Sequence, residues 1–248
     1  MPQTTSTRLH PITALRAMRA LKRNREDTRQ AILLIDSLRG KTSLRQFTRF
    51  RETETGRAVL AERRQLLDRL SDREHLAALP EGTLGRSYYE FMAAENLTAE
   101  GLVEVSQIRE TLPPGDDYTL FRERSRETHD LLHIVTGYGR DPLGEACVLA
   151  FSFAQTRLKG FAMIAFVVAR RIARRLRGQP VRRAVLEAYR NGRRAEWLYA
   201  ADWENLLAEP VEVIRTRYHI GQPTYYSRVL ATVRAARVTK AWPTPAAA

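Results

Sequence analysis

His129 and His133 stand four residues apart, with Asp130 beside the first and Glu145 eleven intervening residues past the second. No other stretch groups side chains able to do difficult chemistry so tightly. Two imidazoles and one or two carboxylates, without a thiolate, are compatible with zinc, iron or manganese. An ion held with open positions can polarise a carboxylate or carbonyl, or activate water. A histidine pair alone is weaker evidence, because a single buried histidine bonded to an aspartate is the commoner outcome.

A helix turns by about 100° per residue, so His129 and His133 lie ~40° apart on one face. Asp130 is an i,i+3 neighbour of His133, and all three side chains fit one arc of roughly 100°. Asp116 or Asp117 caps this helix, which is expected to run to about Thr136. Gly137-Tyr138-Gly139 ends it, and Asp141-Pro142 starts the next, with Asp as N-cap and Pro at the first helical position. Antiparallel neighbours joined by so short a loop would return Glu145 to the histidine pair. Glu145 has no capping role, because the capping-box position is Gly144. Its local gain would be a fraction of a kcal/mol from the helix dipole.

The remaining chain also reads as helix. The periodicity predicts helices over 12–39, 56–70 and 84–95, with Ser71 an N-cap and Glu74 its capping-box partner. Pro80-Glu81-Gly82 and Pro113-Pro114-Gly115 are breaks. The helix from Asp141 is expected to continue, kinked at Gly160, to Gly178, followed by a helical region over 181–207 with an interruption at Asn191-Gly192. Pro210, Gly221 and Pro223 mark a looser C-terminal part, and the residues from Trp242 read as a tail. No strand alternation is found. The fold class is all-α: a helical N-terminal extension over 1–75, then one multi-helix domain over 76–240.

With 248 residues and 44% hydrophobic composition, the chain can bury a sizeable core. Its single cysteine, Cys147, excludes a disulfide framework and a cysteine zinc cluster. The net charge of +13 invites an anionic partner, whether nucleic acid, a membrane surface or a substrate. Ten arginines against the single acid Glu187 lie between Arg170 and Arg194. Only four lysines occur, so compositional bias is the competing explanation. The apolar run over 161–169 is too short to span a bilayer, and the arginines that follow it suit a bilayer surface. The first thirty residues lack the apolar core of a secretory signal, but their Arg, Ser and Thr are compatible with a transit peptide.

The string His129-Asp-Leu-Leu-His-Ile-Val-Thr-Gly-Tyr-Gly-Arg-Asp-Pro-Leu-Gly-Glu145 resembles the signature of the Coq-four family of ubiquinone (coenzyme Q) biosynthesis proteins. Gly82-Thr-Leu-Gly-Arg-Ser-Tyr-Tyr-Glu-Phe-Met92, Gly192-Arg-Arg-Ala and Asp202-Trp-Glu-Asn-Leu-Leu207 resemble other segments of that family. The resemblance covers roughly residues 80–226. It implies that His129, Asp130, His133 and Glu145 hold a divalent metal and serve catalysis, with zinc the usual ion. It also implies an all-helical protein, peripheral to membranes, that handles polyprenylated quinone precursors. The activity implied is that of a lyase, a decarboxylase that exchanges the carboxyl at ring carbon one for hydroxyl. A scaffold role for the other ubiquinone-biosynthesis enzymes goes with it.

On this reading the apolar stretch over 148–169, with Phe161, and the aromatic Tyr88, Tyr89 and Phe91 line a tunnel for the prenyl tail. Arg86 and Arg140 hold an anionic headgroup or carboxylate, the alternative for both being surface charge. Expected partners are the prenylated precursor, other biosynthetic enzymes, an anionic membrane surface and a second copy in a homodimer, but not nucleic acid. The expected location is cytoplasmic and peripheral to the inner membrane in a bacterium, with a mitochondrial one also compatible. A non-catalytic prenyl-lipid scaffold with a structural metal is the first alternative. A metal-dependent phosphohydrolase ranks lower, because His10, His75 and His219 supply no further ligand pattern.

Overall fold

The computed structural model describes residues 9–23, 28–94 and 116–241. Among these no strand forms, and Thr83 and Pro210 make one isolated bridge. The break at Pro113-Pro114-Gly115 and the tail from Trp242 lie outside the described residues.

The stretch expected as one helix over 12–39 is two, α1 (Pro11–Arg23) and α2 (Thr28–Ser37), packed on each other. They bury Ala14, Ala17, Met18 and Leu34, an apolar stripe that one continuous helix could not fold back upon. Next come α3 (Thr42–Glu52), α4 (Glu54–Glu62), α5 (Leu66–Ser71) and α6 (Arg73–Ala78). The expected helix over 56–70 breaks where Arg63 takes a left-handed φ of 54° and ends α4. Asp72, rather than Ser71, caps the following helix: it accepts from the His75 amide at 3.1 Å, while Ser71 still belongs to α5.

Four helices carry most of the remaining core: α7 (Leu84–Ala94), α8 (Asp117–Thr136), α9 (Pro142–Thr156) and α10 (Lys159–Arg175). Nearly every residue of α9 is buried, as expected of a helix apolar all round. Burying Leu143, Val148 and Phe151 each contributes about 1.5–3 kcal/mol, so α9 anchors the fold. The predicted kink at Gly160 is instead a full break before it. Arg157 takes a φ of 62° and its amide bonds back to Phe153 O at 2.8 Å, so α10 is a separate helix packed on α9. Gly160 serves close packing: a Cβ there would lie 2.7 Å from the Ile35 Cα.

α11 (Val181–Arg194) runs through Asn191-Gly192 without the expected interruption. Ala184, Ala188 and Gly192 recur every four residues, and a Cβ on Gly192 would lie 2.6 Å from Phe151 O. The glycine lets α11 approach α9 rather than breaking α11. A 3-10 turn (Leu198–Ala200), α12 (Trp203–Leu206), α13 (Val211–Arg217) and α14 (Thr224–Ala241) complete the chain. The part expected to be looser is therefore largely helical; Asn191 donates to Gly221 O and Gln222 O, and Tyr226 and Val229 enter the core. Leu66, Leu70 and Leu76 share one cluster with Leu131, Val135 and Trp203, so helices from both sides of residue 75 meet in the same core.

Candidate metal centre

The helix bearing both histidines begins where Asp116 accepts from the Thr119 amide at 2.7 Å. It ends at Gly137, whose φ of 73° reverses the chain. Asp141 accepts from the Leu143 and Gly144 amides and starts α9, with Pro142 at the first helical position. Both boundaries are those the sequence predicts. The loop between them lies flat on α9: a Cβ on Gly144 would come 1.9 Å from Gly139 O. Only glycine allows this contact, and the contact carries Glu145 back over α8.

Ligand atoms of three side chains then converge. His133 Nε2 is 3.3 Å from His129 Nε2 and 3.4 Å from Glu145 Oε1, and His129 Nε2 is 3.5 Å from Glu145 Oε2. An ion bound tetrahedrally by N and O at about 2.0–2.2 Å separates its ligand atoms by roughly 3.3–3.6 Å. The histidine–histidine edge falls in this range, and each histidine lies at a similar distance from one of the two Glu145 oxygens, so His129, His133 and Glu145 are able to hold a divalent ion. Asp130 stands apart: its carboxylate is outside this close group, although its charge reaches His129 and Tyr88.

The surroundings suit coordination. His133 Nδ1 lies 2.8 Å from Tyr138 O, which can only accept, so Nδ1 carries a proton and Nε2 is the atom turned toward His129 and Glu145. Phe91 stacks on the His133 ring at 5.7 Å. Burial alone would raise the Glu145 carboxyl, but hydrogen bonds from His129 and His133 outweigh it and hold the pKa well below the usual carboxylate range. Burial opposes a charged His129, yet the Glu145 hydrogen bond and charge prevail and raise its pKa. The His133 side chain is 1% exposed, whereas those of His129 and Glu145 are 29% and 35% exposed. The site is therefore closed behind His133 and open on the other side, where a ligand can approach.

Two supporting residues have no signal in the local sequence. Tyr226, from α14, accepts from the Gly139 amide at 3.0 Å and donates to Asp141 Oδ2, tying the loop to the cap. Arg215, from α13, donates to Val135 O at 2.8 Å and Ile134 O at 3.0 Å, satisfying carbonyls of the last turn of α8. Both lie more than 75 residues beyond the groups they hold, which only folding brings together.

The candidate substrate residues divide. Arg140 sits over the Phe91 ring at 6.0 Å, and its charge reaches both His129 and Tyr88. Tyr88 is buried within reach of the Asp130 charge. Arg86 is engaged elsewhere, donating to Glu90 at 2.7 Å and to Ala77 O, and with Arg73 it flanks Tyr89. Phe161 packs against the main core cluster. A shallow cleft of about 300 Å³ adjoins His133, lined also by Ser87, Glu90, Phe91, Tyr138 and Gly139 among others. Among the described residues, no helix is long and apolar enough to cross a membrane.

Residues 3–224 match the family model described as coenzyme Q (ubiquinone) biosynthesis protein Coq4. The chain belongs to the Coq4 family. The match takes in the region before residue 80 as well as the motif. The chain is 30% identical, over 74% of its length, to the mitochondrial ubiquinone biosynthesis protein COQ4 homolog of Danio rerio. The corresponding protein of Anopheles gambiae is also 30% identical, over 73% of the chain, and that of Scheffersomyces stipitis 27% identical, over 68%. The chain spans 66%, 63% and 51% of those relatives' own lengths. A crystallised protein from Nostoc punctiforme shares the Coq4 fold with a TM-score of 0.62, covering 87% of this chain and 100% of its own, at 24% identity.

Proposed function

We propose that this Coq4-family chain binds a polyprenylated ring precursor of ubiquinone or a related prenylquinone, and supports exchange of the carboxyl at ring carbon one for hydroxyl. The observation that carries the reading is the convergence of His129, His133 and Glu145, each with a ligand atom within 4.8 Å of the others. A divalent ion, zinc by family resemblance, would supply Lewis acidity toward a carboxylate there. Asp130, on the same helix face and with its charge reaching His129, would serve as a fourth ligand or an acid–base group.

The chain's own groups divide the work. Glu145 stays ionised, and His133 presents Nε2 because Tyr138 O holds its Nδ1 proton. Arg140 offers a cation at the site's edge for the ring carboxylate, and the Phe91 face offers a surface for the ring. The exchange is a two-electron oxidation of the ring, so it requires an oxidant as co-substrate. Other ubiquinone-biosynthesis enzymes are the partners this role requires, and an anionic membrane surface is where a prenylated precursor would be met.

The test is complementation of a strain blocked at the carbon-one step. Wild type should restore prenylquinone and Glu145→Ala should not. Rescue by both would show a scaffold that needs no metal. Rescue by neither would remove this substrate.

A further inference from the structure

α8 carries a second set of charged side chains ahead of the histidines. Arg122 and Arg126 precede His129 by about two turns and one turn, and fall with Asp130 and His133 in one arc of roughly 100°. Burial agrees with this division. Leu120, Phe121, Arg124, Thr128, Leu131 and Leu132 are buried, while Arg122, Ser125, Arg126, His129 and Asp130 are partly open.

Arg39, two residues past the end of α2, completes the set. It pairs with Asp36 and donates to Ser43 Oγ at 3.3 Å; Arg122 reaches the same Asp36 at 3.4 Å. No hydrogen bond or ion pair among the described residues reaches Arg126, and its Nε and one Nη are closed to solvent without a partner. The Nε atoms of Arg39 and Arg122 are in the same condition. Buried guanidinium donors left without an acceptor are costly, so such a cluster calls for an acceptor. The three cations also crowd one another. Burial first, then the charge of Arg39, holds the Arg122 pKa below its ordinary value, with Asp36 opposing and Arg126 adding. Asp36 is paired with Arg39 and Arg122, and Asp130 follows Arg126 by one turn on the same arc.

We propose that Arg39, Arg122 and Arg126 form a binding site for a phosphate-class oxyanion, one to two helical turns from the His129–His133–Glu145 triad. A phosphate monoester carries about −1.5 to −2 and offers three acceptor oxygens, against the two of a carboxylate. Guanidinium forks match those oxygens in bidentate geometry. Free phosphate and a phosphate lipid headgroup share this chemistry, and the site stands whether or not the metal reading does.

Isothermal titration calorimetry of the full chain, at matched chloride ionic strength, tests the site. The probes are inorganic phosphate and a short-chain phosphatidic acid below its aggregation concentration. Wild type and His133→Ala should bind alike. Arg126→Gln and Arg122→Gln should each weaken binding about tenfold or more. Arg126→Lys, the milder variant, should fall between, because it keeps the charge and loses the fork. Tighter binding of phosphatidic acid through the same arginines supports the site with a headgroup as its ligand; binding of phosphate alone supports it with the free anion. No heat in the wild type, or affinity unchanged in both Arg126 variants, overturns the proposal. Loss of binding in His133→Ala with retention in Arg126→Gln would overturn it too, by moving the anion to the metal.

Discussion

The Nδ1 of His133 lies 2.8 Å from the carbonyl oxygen of Tyr138, the middle residue of the loop that ends its own helix. This bond orients the imidazole and leaves Nε2 facing His129 and Glu145. A loop chosen for its turn chemistry thus also sets the tautomer of a candidate ligand.

The triad should bind a divalent ion. Elemental analysis of protein purified without chelator or metal-affinity resin should find about one ion per chain, as four-coordinate sites of this type hold. The His133→Ala, Glu145→Ala double variant should have none. Full occupancy in the double variant, or a metal-free wild type, would sink the metal reading.

Gly144→Ala should damage the site without touching a ligand. The added methyl would meet Gly139 O at 1.9 Å, so the loop must lift and Glu145 must move with α9. The expected cost is about 1–3 kcal/mol of stability, as for overpacking, together with weaker metal binding. Denaturant unfolding and a metal titration read the two effects. A variant with wild-type values in both would show that the contact is not needed.

Tyr226→Phe removes one hydroxyl and two bonds, to the Gly139 amide and to Asp141. Stability should fall by about 1–2 kcal/mol, because a buried amide loses its acceptor. Metal affinity should fall about tenfold, the low end for outer-shell partners. The apparent dissociation constant checks this, and an unchanged value would confine Tyr226 to a packing role.

The pair between Arg124 and Glu204 should make the fold acid-sensitive. The side chains are 1% and 10% exposed, and Arg124 also donates to Ala201 O at 3.0 Å. Burial pushes the Glu204 carboxyl up, but the Arg124 hydrogen bonds and charge outweigh it and leave the pKa below its ordinary 4.5. Its stabilisation is present above the unfolded-state pKa and is lost as pH falls through the folded value. Glu204→Gln should therefore flatten the decline in stability below pH ~4.5, and Arg124→Ala should cost about 3–5 kcal/mol at neutral pH. Urea melts from pH 7 to pH 3 measure both, and parallel profiles for Glu204→Gln and wild type would exclude this origin.

The local chemistry of the site is legible in the residues themselves. Asp116, Gly137 and Asp141-Pro142 mark the helix ends seen in the fold, because caps and left-handed turns depend on side chains within a few positions. The four-residue spacing puts both histidines on one face for the same local reason. The family, too, is visible in the motif and its flanks. The reversals at Arg63 and Arg157 are not, since an arginine carries no preference for positive φ. Gly160 and Gly192 read as breaks, although each is a point where another helix comes close.

By itself, then, the sequence determined the all-helical class, the caps that flank the site and the ligand types, all consequences of interactions a few residues long. Tertiary structure decided which ligands meet. Gly144 packs the short loop at Gly139 onto α9, and Tyr226 across the loop and Arg215 under α8 tie in segments far along the chain. Their packing brings Glu145 to the histidines and keeps Asp130 outside the close group, because convergence depends on how two helices are held and not on the order of their residues.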